Sequence, residues 1–302
     1  MVGFLPIALL GYLLNSTSTF LSKFVVNNSL PNPISYTFYV ALSGLLVLVL
    51  IPFGFIIPNH SALLFGLVSA LAFLAALLLF YSSLFYDEPI VVAPIFGTFN
   101  SIFTFLLGYF LFQEAISGKQ ILAILILILG LAIFSSTHLF KSKLQRKHFL
   151  VMAVGGMCAA ISALTLRQSI LQTNFITGLI LCYVLASLAS LSFLLIPKYQ
   201  RLIFQAKVVK NSGFNKTSLW ILSSEIIGAA GGFVISYGYS LAPASIVNSL
   251  QGIQYIFLLV VALLLPKHLQ HLIGEDYIKK RLTQKIIGSI VIGIGLGILA
   301  LT

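Results

Sequence analysis

The chain has few charged residues. Only 8% of its 302 residues are Asp, Glu, Lys or Arg, and only six residues are acidic. Apolar residues make up 59% of the chain, and the mean hydropathy is +1.09. A soluble domain of this length would carry far more charge on its surface. The composition therefore predicts an integral membrane protein and excludes a soluble enzyme or a soluble binding domain.

Cysteines and catalytic motifs are scarce as well. Cys158 and Cys182 both lie in apolar stretches, where a thiol behaves as a small buried hydrophobe, so they indicate neither a disulfide framework nor a redox centre. The chain contains no zinc-protease, serine-hydrolase, Walker A or Cys-x-x-Cys pattern. We therefore expect no catalytic residue, no metal site and no cofactor. Without a Walker motif, uphill movement of a solute would have to use an ion gradient.

The chain does contain ten apolar stretches, each close to the roughly 20 residues that a helix needs to cross a bilayer. The predicted spans are 3–22, 35–57, 61–82, 90–112, 119–137, 149–166, 175–196, 218–239, 244–265 and 284–301. Prolines lie at or just beyond these boundaries, as expected for residues that begin or end helices. The predicted fold class is an all-α integral membrane protein with ten transmembrane helices.

Positive charge is concentrated in alternate loops. The net charge is +11, and 15 of the 17 Lys and Arg residues fall in the odd-numbered loops, with only Lys119 and Arg167 assigned to even-numbered ones. The positive-inside rule then places the odd-numbered loops in the cytoplasm and both termini outside. The charge is thus a membrane orientation signal and does not indicate a nucleic-acid partner. We expect a multi-pass protein of the cell membrane.

A basic segment, residues 141–148, divides the ten spans five and five. An odd number of spans in each half turns the second half upside down, which predicts two inverted five-helix repeats, residues 1–138 and 139–302. Identity between the halves is thin. A shift of 154 residues places Pro89 on Pro243 but matches only four of 24 positions in the fourth and ninth spans. This prediction therefore rests more on the arrangement of spans and charged loops than on residue identities between the halves.

Polar residues recur on one face of the ninth predicted span. Ser245, Asn248, Gln251 and Tyr255 follow helical spacing, while the opposite face is aliphatic. The corresponding face of the fourth span is small or polar and includes Ser101. Polar side chains within a span usually face other helices or a watery cavity. These two spans are therefore predicted to face a shared central pathway.

The eighth predicted span carries a second stripe, which begins at Glu225 and ends at Tyr239. Glu225 is the only carboxylate within a predicted span, and such residues are costly enough to suggest a function. It could bind a cationic solute or exchange a coupling proton; alternatively, it pairs with a neighbouring Lys or hydroxyl. In the first span, Asn15 fits either substrate contact or bonding between helices. The candidate substrate-binding residues are Asn15, Ser101, Glu225, Tyr239, Asn248, Gln251 and Tyr255.

Several short motifs at span ends resemble those of the EamA-like branch of the drug/metabolite transporter (DMT) superfamily. They are Leu21-Ser-Lys23, Ser83-Leu84, Phe112-Gln-Glu114, Gly130-Leu-Ala-Ile133, Ser240-Leu-Ala-Pro-Ala-Ser245 and Gly288 with Gly295-Leu-Gly-Ile298. The resemblance implies a basket of ten helices around a central cavity. It also implies export or exchange of small organic molecules, with the fifth and tenth helices at the periphery.

The predicted function is therefore secondary transport. A small organic metabolite or drug-like solute would cross the membrane by alternating access, driven by an ion gradient or by exchange. The expected partners are this solute and the lipid bilayer, with a coupling proton or cation and the oligomeric state left open. The alternative is a membrane-embedded enzyme or flippase acting on lipid-linked substrates. A structural scaffold is a third class, but it would not need polar stripes facing the bundle interior.

Overall fold

The computed structural model describes residues 3–28, 32–87, 89–139, 146–205, 216–264 and 282–301, and all regular structure in these ranges is helical. The α-helices are α1 Phe4–Asn28, α2 Pro33–Ser43, α3 His60–Tyr86, α4 Pro89–Phe110, α5 Gly118–Leu139, α6 Arg146–Gln172, α7 Phe175–Ser190, α8 Pro197–Gln205, α9 Lys216–Leu241, α10 Ala244–Ser249, α11 Gly252–Leu264 and α12 Leu282–Ala300. Two 3₁₀ helices continue α2 and α7, namely η1 Gly44–Phe53 and η2 Leu191–Leu195.

Eight segments in the described ranges are long and apolar enough to cross a membrane. They coincide with the first seven predicted spans and the tenth. The ninth corresponds to a shorter apolar segment, Ala244–Val260, and the eighth to α9. Many large apolar side chains point outward, such as Leu64 and Leu122, as they do where lipid replaces water. The protein is a multi-pass helical membrane protein, and the count of ten spans stays a prediction.

Prolines and asparagines mark the helix starts. Pro33 and Pro89 each begin a helix, because the first helical position needs no N–H donor. The Asn59 side chain caps α3 by accepting from the Ala62 N–H at 2.7 Å, and Asn174 caps α7 by accepting from the Thr177 N–H at 2.8 Å. The prediction that prolines lie at span ends is confirmed at these positions.

Some predicted span ends fall short of the helices: α1 continues to Asn28 and so contains Lys23, which was assigned to a loop. Arg167 was also assigned to a loop, but α6 continues to Gln172 and contains it. The basic segment 141–148 lies largely outside the described residues, as does the long loop that precedes α12. The structure therefore leaves the proposed division of the chain at residue 138 as a prediction.

Three antiparallel helix pairs form the main packing of the bundle: α1 with α9, α3 with α6, and α5 with α12. Glycines permit the close approach in two of them. An added Cβ at Gly231 would lie 3.0 Å from the Asn15 nitrogen, and one at Gly288 would lie 2.9 Å from the Phe134 nitrogen. Small residues at such contacts let helix backbones approach closely within a membrane.

A further contact joins α4 to α10 and α11. These helices cross antiparallel, with Ser101 against Asn248 and Thr104 against Ser245. Gly97 provides the space for the Tyr255 hydroxyl, since any Cβ at this position would overlap it. The crossing places the polar faces of both helices next to the centre of the bundle.

Candidate functional site

A cavity of about 1040 Å³ lies in the centre of the bundle. Its lining comes from α1, α2, η1, α3, α4, α6, α7, α9, α10 and α11, together with the Gln251 turn. In the described part of the chain, α5, α8 and α12 contribute no lining side chain. The cavity brings together six of the seven predicted site residues, namely Asn15, Glu225, Tyr239, Asn248, Gln251 and Tyr255.

The Asn248 side chain is held on all sides by its neighbours. Its Nδ2 donates to Thr104 Oγ1 at 2.9 Å and to Asn100 Oδ1 at 3.4 Å. Its Oδ1 accepts from the hydroxyls of Tyr239 at 2.7 Å and Tyr12 at 3.3 Å. Because these bonds use both ends of the amide, Asn248 fixes the arrangement of α1, α4 and α9 around the cavity wall.

The predicted ninth span is broken beside this network. α10 ends at Ser249 and α11 begins at Gly252, with Leu250 and Gln251 in a turn, so the expectation of one continuous helix is corrected. The Asn248 carbonyl accepts from Ser101 Oγ at 2.8 Å and from the Gln251 N–H at 3.1 Å. The N–H groups of Leu250 and Gln251 bond to carbonyls three residues back, so a tightened turn joins α10 to α11, and Ser101 adds a tertiary bond to it.

The break aims Gln251 into the cavity. Its Oε1 accepts from Asn100 Nδ2 at 2.8 Å, while its Nε2 bonds to no residue in the described ranges. Ser101 lies differently. Its side chain is fully buried against the Asn248 carbonyl and is not part of the lining. Ser101 therefore supports the broken segment in this structure and makes no contact with the cavity.

Two buried polar atoms on α11 have no partner in the described structure. They are Gln254 Oε1 and the Tyr255 hydroxyl, and both residues line the cavity although they are only 4% and 1% exposed. The rest of Gln254 is tied to α1, where Thr19 Oγ1 accepts from its Nε2 at 3.4 Å and Ser16 donates to its carbonyl at 3.0 Å. Buried polar atoms are seldom left unpaired, so these two are candidates to bind a ligand.

Glu225 lies on α9 and is half buried in the cavity wall. The Tyr36 hydroxyl interacts with its carboxylate. The adjacent Ser224 fastens α9 to α1, because its carbonyl accepts from Ser18 Oγ at 3.0 Å and its hydroxyl lies 3.0 Å from that of Ser22. Within the described ranges Glu225 has no basic partner. Asn15 also lines the cavity, and its side-chain amide bonds to no described residue.

Sequence reasoning missed a structural role for Glu114, a buried carboxylate between α4 and α5. Its Oε1 accepts from the Ala244 N–H at 2.7 Å, and its Oε2 accepts from the Ser245 N–H at 3.1 Å. Arg167 lies 3.8 Å away and donates from Nε to the Ala242 carbonyl at 3.0 Å. Glu114 thus joins the end of α6 to the start of α10. Two signals in the sequence pointed to Glu114: it is one of only six acidic residues, and it belongs to the Phe112-Gln-Glu114 motif.

Several lining residues of η1 and α9 are also exposed on the outside of the protein. Leu46 and Val49 on η1 and Ile226 on α9 all line the cavity, yet they are 74%, 68% and 59% exposed. Described parts of α9 pack mainly on α1, whereas α2 and η1 pack mainly on α7 and α3. The cavity therefore has an apolar lateral opening between these elements, on a face that lipid would cover.

The described helices and the cavity define a multi-pass membrane protein built around a central chamber. Residues 4–136 match the model of the EamA-like transporter family, which belongs to the DMT superfamily. The predicted resemblance is confirmed over this range. Among curated proteins, none matches the chain.

Solved structures share the fold. In all, 28 of their chains match. One, described only as a crystal structure of a protein, has a TM-score of 0.63 at 14% identity and covers 99% of this chain and 96% of its own. At this identity the likeness establishes the common fold alone.

Proposed function

We propose that the protein is a secondary transporter that moves a small organic solute through the central cavity by alternating access, driven by an ion gradient or by exchange. The observation that carries this proposal is the helix break at Leu250 and Gln251, which lies in the cavity wall next to unpaired polar atoms. Broken helices that line a cavity near the middle of a membrane are typical of solute sites in secondary transporters.

The packing of α1, α3, α6 and α9 supports the inverted repeats that alternating access uses. The first helix of one predicted half pairs antiparallel with the third long helix of the other: α1 with α9, and α6 with α3. The two pairs also share a hydrogen bond of the same type. Ser224 Oγ, on α9, donates to the Ser18 carbonyl of α1 at 3.4 Å, and Ser69 Oγ, on α3, donates to the Ser162 carbonyl of α6 at 3.0 Å. Two similar halves in opposite orientation would produce this correspondence.

The family match favours a transporter over a membrane-embedded enzyme. The lateral opening between η1 and α9 is the one observation that favours the flippase alternative, since a lipid-linked substrate would enter from the side. Under that alternative the substrate remains partly in the bilayer, whereas a transported solute is released into water on both sides.

Exchange in proteoliposomes tests the proposal. The purified chain is reconstituted and assayed for counterflow of radiolabelled tetraethylammonium, thymidine and benzenesulfonate, which carry positive, zero and negative charge. We expect at least one probe to enter faster than in protein-free liposomes. Gln251→Trp places a bulky ring in the cavity and should slow this entry, whereas Leu122→Trp, on the outer face of α5, should not.

Two outcomes would contradict the transport proposal. If all three probes enter at the rate of protein-free liposomes, or if Gln251→Trp transports as fast as Leu122→Trp, solute transport through this cavity is contradicted. Equal elution of both variants from a sizing column shows that the comparison is between folded proteins.

A further inference from the structure

The cavity has an unbalanced charge. Glu225 is its one carboxylate, and no Lys, Arg or His is present among the described lining residues. The two ion pairs in the described ranges, Arg167 with Glu114 and His148 with Asp87, involve none of the lining. A carboxylate in a membrane interior is unfavourable unless a cation or several donors compensate it. The protein supplies only the Tyr36 hydroxyl as a described partner, which leaves room for a positive charge from the solute.

Aromatic rings dominate the larger side chains of the lining. Six tyrosines and four phenylalanines line it, among them Tyr39, Phe80, Tyr81, Tyr183 and Phe233. An aromatic face attracts a nearby cation and also packs against an apolar ring. An organic cation can use both properties, whereas an anion would meet repulsion from Glu225 and from the negative ring faces.

The unpaired atoms on α11 are suited to the same class of ligand. Gln254 Oε1 can only accept hydrogen bonds, and the Tyr255 hydroxyl can accept as well as donate. Both are more than nine-tenths buried and belong to the lining. A protonated amine carries N–H donors and no acceptor, so it satisfies these oxygens without leaving a new unpaired group.

We propose that the solute is a monovalent organic cation, a protonated amine with an apolar body. Its charge is balanced by Glu225, and its apolar body packs on the aromatic lining. This inference rests on the proposed function, because it names the substrate class of the same cavity. The cavity volume of about 1040 Å³ accommodates such a molecule together with water.

Binding to the purified full chain in detergent at neutral pH tests the charge preference. Tritiated 2-phenylethylammonium serves as the probe, with 2-phenylethanol and 3-phenylpropionate as neutral and anionic competitors carrying the same ring. We expect unlabelled 2-phenylethylammonium to compete about tenfold more strongly than the alcohol, and the anion to compete least.

Glu225→Gln is the decisive variant, because it keeps the shape of the side chain and removes its charge. The affinity for 2-phenylethylammonium should fall about tenfold while that for 2-phenylethanol stays nearly constant, so the preference disappears. Glu225→Asp retains the charge and should retain the preference. A folding defect would weaken both ligands together, so the ratio of their affinities separates a charge effect from a structural one.

The results distinguish this inference from the transport proposal. Equal binding of ammonium and alcohol by the wild type, or an unchanged preference in Glu225→Gln, would overturn the inference. If the liposomes carry a probe but show no preference for cations, transport stands and the substrate class is wrong. If cations bind selectively but none of the transport probes moves, the binding site stands and the transport proposal fails.

Discussion

Two groups of three helices flank the cavity, and they differ in how the third helix packs. On one side α3 and α6 form an antiparallel pair, and α7 packs closely against α3. The other side has the corresponding pair, α9 and α1, but described parts of α2 and η1 turn away to pack on α7 and α3. The first group is closed, and the second leaves the lateral opening beside Leu46 and Ile226.

Specific contacts account for the closed side. Ser69 donates to Cys182 Sγ at 3.2 Å, and Phe73 packs edge to face on Tyr183 at 5.3 Å between ring centroids. The open side offers no match to these contacts in the described residues, because, apart from Gly44, the η1 residues that line the cavity are leucines and valines. If the halves exchange roles during transport, α3 and α7 must separate while α2 approaches α9.

The largest expected effect comes from locking the closed side. In a Cys158→Ala background, Ser69→Cys places a second thiol next to the native Cys182. Oxidation should join α3 to α7 and reduce probe entry to that of protein-free liposomes, because the closed side can no longer open. Reduction with dithiothreitol should restore entry, which is measured in the same liposomes before and after treatment.

The control for this lock is Ser69→Cys combined with Cys182→Ala, which cannot form the bond. Its transport should be indifferent to oxidant. Full transport by the oxidised lock, with the disulfide verified by thiol labelling, would mean that the closed and open sides do not alternate and that their difference is a fixed feature of the fold.

Glu114 gives the next largest effect, on stability. Glu114→Ala removes the partner of two backbone N–H groups and leaves Arg167, on the closed side, without its carboxylate. Breaking a buried pair by removing one member costs about 3 kcal/mol. A fall in the melting temperature in detergent measures this loss. Glu114→Gln keeps one acceptor oxygen and should fall less, and equal melting of all three proteins would contradict the assigned role.

Glu114 also illustrates which features sequence reasoning can reach. Hydropathy and helical spacing were enough to locate eight of the ten predicted spans and to place Gln251, Tyr255 and Glu225 on faces that line one cavity. The role of Glu114 is not visible in the sequence, because its partners Ala244 and Ser245 are 130 and 131 residues away. A pattern read along one helix contains no information about such a partner.

The same limit explains Ser101 and the broken ninth span. Helical spacing assigns Ser101 to the face of α4 that points inward, but it does not reveal that the Asn248 carbonyl covers it. That contact spans 147 residues and helps to form the break at Leu250 and Gln251. The polar stripe was therefore visible in the sequence, while the division of its members between supporting and cavity-facing roles depends on tertiary packing.

A matched pair of glycines gives the smallest effect and sharpens the comparison of the two sides. At Gly66 on α3, an added Cβ would lie 2.9 Å from the Leu181 Cβ, so Gly66→Ala should force α7 away from the closed side and destabilise the protein by about 1 to 3 kcal/mol. At Gly232 on α9, the nearest atom would be the Tyr183 hydroxyl, also at 2.9 Å, the far end of a side chain that can shift. Gly232→Ala should therefore change the melting temperature little, and the gain in helix propensity offsets part of any strain.

Equal losses at the two positions would show that α7 is packed as tightly against the open side as against the closed one. The lateral opening would then not be a point of weak packing.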